Sequence, residues 1–128
     1  MSAEKNHETL ARRLFDALQA ADAEAIEGML AHSFAGTQNG GPAMDAAALI
    51  TFAQAVKRAV PDFRYEAIAC RATTDGFVEE HLVCGTAPDG TAFRIPLCVV
   101  GDVEGAQISA LREYVDTRAA TPLLKALG

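Results

Sequence analysis

The sequence predicts an α+β fold in which helices pack on one face of a curved, mostly antiparallel sheet. Apolar residues recur at helical spacing as far as Val60, whereas the second half holds four extended apolar runs joined by short turns. Helices that precede the strands, rather than alternating with them, favour α+β over α/β. Because a strongly twisted sheet with helices on one face leaves a conical space, we expect a conical cavity between the two layers.

Two helices are predicted in the first quarter of the chain. The first extends from about Ala3 to Ala20. Its apolar stripe consists of Leu10, Leu14, Phe15 and Leu18. Asp22 then begins a short second helix, because an aspartate N-cap accepts hydrogen bonds from the free N–H groups of the first turn. The apolar positions of that helix are Ile26, Met29 and Leu30.

A third helix follows the strongest cluster of helix-breaking residues, Ala35 to Pro42. We expect this cluster to join the second helix, through a short irregular or strand-like piece around Phe34, to a helix from about Asp45 to Val60. Pro61 ends that helix. One face of it carries Leu49, Phe52, Ala53 and Val56.

Four strands are predicted after Pro61, because the runs there are rich in β-branched and aromatic residues. They are Phe63 to Arg71, Gly76 to Gly85, Thr91 to Gly101 and Gln107 to Asp116. The short links between them contain Asp and Gly, which favours an antiparallel meander. Thr121-Pro122 then opens a short terminal helix from Leu123 to Leu127.

Length and composition limit the class of protein. The 128 residues suit one domain, 1–128, and the net charge of −6 argues against nucleic acid as a partner. No stretch is long and apolar enough to span a membrane, and the N-terminus lacks the apolar core of a secretory signal. The chain has three cysteines, Cys70, Cys84 and Cys98. Because their number is odd and they form no CxxC pair, they indicate free thiols in a reducing compartment. We therefore expect a cytoplasmic protein.

Several short segments together resemble one protein family. They are Pro61-Asp62-Phe63 after the long helix, Glu80 to Thr86 on the second strand, Pro88-Asp89-Gly90 in a turn and Leu111 to Asp116 near the end. With them the chain resembles the SnoaL-like branch of the nuclear transport factor 2 (NTF2) superfamily, which includes ketosteroid isomerase, limonene epoxide hydrolase and small polyketide cyclases. The resemblance covers nearly the whole chain. It implies a cone-shaped α+β barrel, NTF2-like and cystatin-like, which in this family is often a homodimer that pairs through its sheet.

The resemblance also implies positions for site residues. In limonene epoxide hydrolase an Arg and an Asp, two residues apart on one strand, join an Asp on the last strand to activate water. Those positions hold Glu79, His81 and Glu113 here, so the hydrolase triad is absent. The carboxylate, tyrosine and protonated-acid trio of ketosteroid isomerase is not clearly supplied either. Polyketide cyclases of the group use an acidic residue as the base. The resemblance implies that Glu113, or less suitably Asp116, takes this role here.

His81 and Glu113 are the predicted catalytic residues. Removing a proton next to a carbonyl needs a base poised near neutral pH, which a histidine is and which a buried carboxylate becomes. Two ordinary structural roles remain open. His81 would be a strand histidine bonded to a backbone carbonyl or to Glu113, and Glu113 would face solvent and pair with Arg112 or Arg94.

The predicted ligand-binding residues are Glu79, Tyr65, Arg94, Phe52 and Asp116. Alternation places Glu79 on the face of His81 and turns Tyr114 outward, and it places Tyr65 on one face with Ala67. Tyr65 is either a donor to a ligand oxygen or a core tyrosine. Arg94 either neutralises an acidic ligand or pairs with Glu79. Asp116, near a strand end, would reach the pocket mouth.

Two functions are compatible with these residues. The first is a cofactor-free isomerase, cyclase or hydrolase that acts on a small, mostly apolar, oxygen-bearing molecule. The second is a non-catalytic dimeric domain whose cavity holds a small hydrophobic molecule. The sequence has no cluster with zinc or iron spacing and no nucleotide-binding motif, so we expect neither a metal nor a cofactor.

Overall fold

A computed structural model describes residues 3–128 and confirms the predicted α+β class. Its helices are α1 (Ala3–Ala20), α2 (Ala23–Met29), α3 (Ala46–Ala59) and α4 (Thr121–Ala126). Its strands are β1 (Leu30–Gln38), β2 (Arg64–Ala72), β3 (Gly76–Thr86), β4 (Ala92–Glu104) and β5 (Gln107–Val115). All four predicted helices and all four predicted strands are present, with ends that differ by a few residues.

The sheet is mixed, with strand order β1-β5-β4-β3-β2. Strands β2 to β5 form the expected antiparallel meander, but β1 pairs parallel to β5. The sequence indicated only a short strand-like piece around Phe34, whereas β1 has nine residues. Exposed His32 and Ser33 interrupt its apolar alternation, and its partner strand lies far along the chain, so local pattern does not reveal it.

The helices cover the inner face of the sheet. The main core cluster includes the fully buried side chains of Leu14, Ile26, Phe77 and Ile108. Asp22 caps α2 as predicted, since its Oδ1 accepts a hydrogen bond from the Ala25 N–H at 3.2 Å. Together with a second cluster that includes Val60, Val83 and Ile95, the main core cluster fills the space between the two layers on the inward faces of β3, β4 and β5.

A β-bulge divides β2 at Ala67. The pairing with β3 shifts between Glu66 and Ala69, and Ala67 adopts a left-handed backbone with φ of 52°. The prediction that Ala67 shares the face of Tyr65 is wrong, because the extra residue turns Ala67 into solvent. Beyond the bulge, Cys70 packs against the core opposite Glu79. On β3, Leu82 pairs with Glu66 and Glu80 pairs with Ala69. The bulge therefore lies opposite His81, the residue between Glu80 and Leu82.

Two further features bear on the expectations from composition. Cys70, Cys84 and Cys98 are free thiols, of which Cys84 is buried and the other two are half-buried. Within residues 3–128, none of the helices combines the length and the hydropathy required to cross a membrane.

Gly101 provides a test of the packing between β4 and the core. A Cβ at Gly101 would lie 2.3 Å from the ring of Phe77, which is fully buried and cannot move aside. We expect Gly101→Ala to lower the free energy of unfolding by about 2–3 kcal/mol, as overpacking does. Urea unfolding followed by circular dichroism measures this.

Gly28→Ala is the matched control. It adds the same methyl group inside α2, where nothing lies within 4 Å of the new atom. This substitution should raise the free energy of unfolding by up to about 1 kcal/mol, because alanine favours helix. Equal effects of the two substitutions would contradict the packing described for β4.

Candidate active site

A cavity of about 360 Å³ lies between the inner face of the sheet and helices α1, α3 and α4. Most of the side chains that line it are apolar. Its polar lining residues are Thr37, Gln38, Tyr65, His81 and Glu113. Such a cavity favours a small, largely apolar molecule that is oriented by a few polar contacts.

His81 and Glu79 form a buried pair on the wall of this cavity. Nδ1 of His81 lies 2.6 Å from Oε2 of Glu79, and the two side chains are each only 1% exposed. They are neighbours on the inner face of β3 because residues i and i+2 of a strand share a face. An ionised carboxylate can only accept, so Nδ1 carries the hydrogen and Nε2 is the ring nitrogen available to a molecule in the cavity.

Two aromatic rings hold the plane of the His81 imidazole. The ring of Phe15 from α1 meets it edge-on with centroids 5.0 Å apart, and the ring of Tyr65 from β2 lies 4.6 Å away. The hydrogen bond from Nδ1 to Glu79 fixes which edge of the imidazole ring points to the cavity. His81 therefore has one defined orientation with respect to the cavity.

Glu79 lies behind His81 and is fully buried. Its second oxygen, Oε1, has no hydrogen-bond partner among residues 3–128. Its neighbours across the sheet are Cys70 on β2 and Val99 on β4. Burial, followed by the nearby Glu79 carboxylate, raises the pKa of the Cys70 thiol to about 11, so the thiol is neutral. A buried carboxylate oxygen without a donor is unusual and costly, which makes His81 the main partner of Glu79.

Glu113 lies on β5 and lines the same cavity, two strands away from β3 in the sheet. Val99 stands between it and Glu79 in the pairing of the strands, which places the two Cα atoms about 10 Å apart. Burial raises the pKa of Glu113, while a hydrogen bond from Gln38 and the proximity of His81 lower it. Glu113 lines the cavity, as His81 does, and its partner is Gln38 rather than Arg112 or Arg94.

The other predicted binding residues divide into two groups. Phe52 and Tyr65 line the cavity, and Phe52 is 41% exposed where the cavity opens to solvent. Arg94 and Asp116 do not line it. The alternation of β4 turns Arg94 to the outer face, where its partner is Glu66 at 3.2 Å rather than Glu79. Asp116 is exposed beyond the end of β5 and accepts a hydrogen bond from the Arg118 N–H.

Comparison with known proteins places this architecture in a family. The SnoaL-like domain matches residues 11–111. The chain belongs to the SnoaL-like domain family. None of the curated proteins matches the sequence.

Solved structures share the fold of this SnoaL-like protein at low sequence identity. A candidate polyketide cyclase from Xanthomonas campestris pv. campestris is 21% identical, with a TM-score of 0.83 over 95% of this chain and 99% of that one. An LEH-like epoxide hydrolase from M. tuberculosis is 16% identical, with a TM-score of 0.77 over 98% and 92%. An NTF2-like protein from Burkholderia xenovorans LB400 is 17% identical, with a TM-score of 0.78 over 98% of each chain. These matches confirm the predicted NTF2-like fold.

Sequence reasoning missed two contributors to the site of this SnoaL-like protein. Gln38, which contacts Glu113, lies in the segment interpreted as a connection, and only the parallel pairing of β1 with β5 brings it to the cavity. Phe15 was recognised as part of the apolar stripe of α1, but nothing in that stripe distinguishes the residue that contacts His81. In the described part of the chain, no group of three or more potential metal ligands is close enough to hold an ion.

The pH dependence of stability tests the environment of Glu113. Because burial raises its pKa above the ordinary value of 4.5, Glu113 contributes stability below that value and loses it as pH rises through the raised pKa. Unfolding by urea at a series of pH values should show wild type losing stability relative to Glu113→Gln over this interval.

Asp102 serves as the control, because its pKa is lowered rather than raised and its effect on stability changes with pH in the opposite direction. Hydrogen bonds from Arg112 hold its pKa below 3.8, so its contribution is present above 3.8 and is lost as pH falls through the lowered pKa. Wild type should therefore lose stability relative to Asp102→Asn only on acidification. A flat difference for Glu113→Gln would contradict its placement in the cavity wall.

Proposed function

We propose that this SnoaL-like protein is a cofactor-free enzyme that catalyses acid–base chemistry on a small, apolar, oxygen-bearing molecule, as an isomerase, cyclase or hydrolase. The observation that carries the proposal is the buried bond between His81 and Glu79 on the wall of an apolar cavity that also contains Glu113. Paired groups of this kind, held in different environments, are typical of acid–base sites.

His81 is the proposed base. Nε2 accepts a proton from a carbon next to a carbonyl, and the imidazolium that results is stabilised by the Glu79 carboxylate at Nδ1. The rings of Phe15 and Tyr65 pack against the imidazole and keep it in place during the transfer. Glu79 therefore positions His81 and balances the charge, without touching the substrate.

Glu113 is the proposed acid. Its raised pKa keeps more of the carboxyl group protonated near neutral pH than an exposed glutamate would be. The protonated carboxyl transfers its proton to the carbonyl oxygen while His81 removes the proton from carbon, which gives an enol. Glu113 takes that proton back when the His81 imidazolium returns its own proton to carbon. With water as the species that loses a proton, the same groups would support hydrolysis.

The lining of the cavity indicates the kind of substrate. No Lys or Arg side chain lines it within residues 3–128, and Glu113 would repel an anion. An uncharged molecule with one or two oxygen atoms avoids the cost of burying an unpaired charge. Two proteins of similar structure are named as a polyketide cyclase and an epoxide hydrolase, and both names refer to reactions of oxygen-bearing molecules.

The alternative function is a binding domain that does not catalyse a reaction. The observation in its favour is the apolar rim of the cavity, where Phe52 is 41% and Leu124 is 47% exposed. An apolar molecule would cover these side chains whether or not it reacted. The two functions differ in whether a bound ketone exchanges protons with the protein.

Hydrogen exchange into a panel of uncharged ketones tests the reaction class. In D₂O we expect the protein to accelerate exchange at the carbon next to the carbonyl, measured by mass spectrometry. His81→Gln should slow it by about a hundredfold to ten-thousandfold, and Glu113→Gln should slow it too. Glutamine is chosen at position 81 because its amide can donate to Glu79, whereas His81→Ala would strand a buried carboxylate at a cost of about 3–5 kcal/mol.

His32→Gln is the matched control, because His32 is exposed on β1 and does not line the cavity. It should leave exchange unchanged. Ketones that bind to the wild-type protein without any accelerated exchange would overturn the enzymatic proposal and favour the binding domain.

We also propose that the protein is a cytoplasmic homodimer that pairs through the outer face of its sheet. The central strands present a block of half-buried or exposed apolar side chains on that face, grouped around exposed Glu80. The block consists of Val78, Leu82, Pro96, Cys98, Val100 and Tyr114. Tyr114, at 48% exposed, is the large aromatic side chain at its edge, and a second copy would cover the block. The three free thiols agree with a reducing compartment.

Analytical ultracentrifugation tests the dimer. The wild-type protein should sediment at twice the mass of the chain, and Tyr114→Glu should sediment as a folded monomer because it places a charge within the interface. Tyr114→Phe keeps the apolar ring and should remain dimeric. A monomeric wild type at micromolar concentration would refute this part of the proposal.

A further inference from the structure

The end of β1 contacts Glu113 through a side chain that the proposed reaction does not use. Nε2 of Gln38 donates a hydrogen bond to Oε2 of Glu113 at 2.8 Å. The two residues are direct partners in the parallel pairing of β1 and β5. Because Oε2 is occupied by this bond, Oε1 is the oxygen that remains for a molecule in the cavity.

The next residue, Asn39, fastens this end of β1 to β5. Its backbone N–H donates to the Glu113 carbonyl oxygen at 2.8 Å. Its side chain makes two bonds to the backbone of Val115, with Nδ2 donating to the carbonyl oxygen at 2.9 Å and Oδ1 accepting from the N–H at 3.0 Å. Asn39 has a left-handed backbone with φ of 52°, which asparagine tolerates better than most residues.

We propose that Gln38 is a positioning residue that holds Glu113 with one oxygen directed to the substrate, and that Asn39 is the clamp that keeps Gln38 in place. Asn39 donates two hydrogen bonds to the backbone of β5 and accepts a third, which fixes that backbone on both sides of Tyr114. The Gln38 amide therefore meets a carboxylate whose own strand is held in place. This inference rests on the proposed function for the proton-transfer role of Glu113.

The electrostatic consequence has a definite sign. A hydrogen bond to the ionised carboxylate favours that form, so Gln38 lowers the pKa of Glu113 against the effect of burial. The other titratable groups that face Glu113 are His81 from β3, which also lowers the pKa, and Tyr65 from β2. The parts of α1, α3 and α4 that line the cavity contribute no charged side chain. Gln38 thereby sets the pH range in which Glu113 changes from acid to base.

NMR titration of the Glu113 side-chain carboxyl carbon tests the proposal without a substrate. In Gln38→Leu we expect the midpoint to rise by roughly half to one pKa unit, because the donor is lost while the side chain keeps its size. Asn39→Gly should move it in the same direction by less, since glycine accepts the left-handed backbone but makes neither side-chain bond. If Gln38→Leu does not fold, the Glu113 midpoint in Asn39→Gly tests the proposal: a raised midpoint supports it, and an unchanged midpoint overturns it.

Gln107→Leu is the matched control. Gln107 also donates from Nε2 to β1, to the Leu30 carbonyl oxygen, but it lies at the far end of β5. This variant should leave the Glu113 midpoint unchanged. An unchanged or lowered midpoint in Gln38→Leu, or an equal shift in Gln107→Leu, would overturn the inference. A raised midpoint without ketone exchange in the wild type would instead retain the positioning role and reject the proposed enzyme.

Discussion

Burying the Glu79 carboxylate inside the sheet costs several kcal/mol unless a donor reaches it, and the surrounding structure supplies one. The donor is His81, two residues along the same strand. The histidine must then hold one orientation, which requires Phe15 from the first helix and Tyr65 from the neighbouring strand. The packing of α1 on the sheet and the chemistry of the cavity wall are therefore parts of one arrangement, since loss of either ring would free the imidazole.

The same arrangement distinguishes this chain from a plain apolar container. A cavity that only held a hydrophobic molecule would not need a charged group behind its wall, because apolar side chains would fill that space at lower cost. The neighbouring structures, at 21% identity or less, establish the fold of the family but not its chemistry. The proposed catalysis depends on the pair of Glu79 and His81, with Glu113 in the same cavity.

The parts of the fold that follow from local pattern were predictable from the sequence. The stripe of Leu10, Leu14, Phe15 and Leu18 predicts α1, and the alternation along β3 correctly directs His81 inward. The resemblance to the family placed Glu113 on the last strand. His81 bonds Glu79 rather than Glu113, which the sequence left open as a partner, because a residue two positions away on the same face needs no correct alignment of separate strands.

What escaped prediction depends on distant contacts. The bulge at Ala67 turns that residue outward and brings Cys70 to Glu79, and no glycine marks it. Arg94 finds Glu66 across the outer face rather than Glu79, which follows only from knowing which way β4 faces. The parallel pairing of β1 with β5 joins segments more than half a chain apart, so neither strand alone predicts the contact of Gln38 with Glu113.

That parallel pairing also dictates the order in which the molecule can assemble. Gln38 and Glu113 are 75 positions apart in sequence, and closing so long a loop costs entropy before any contact compensates for it. During synthesis the meander from β2 to β4 can form while β5 is still inside the ribosome, but β1 has no strand to pair with until β5 emerges. The cavity wall is thus completed last, and until then the edge of β4 that later pairs with β5 is open to pairing with another chain.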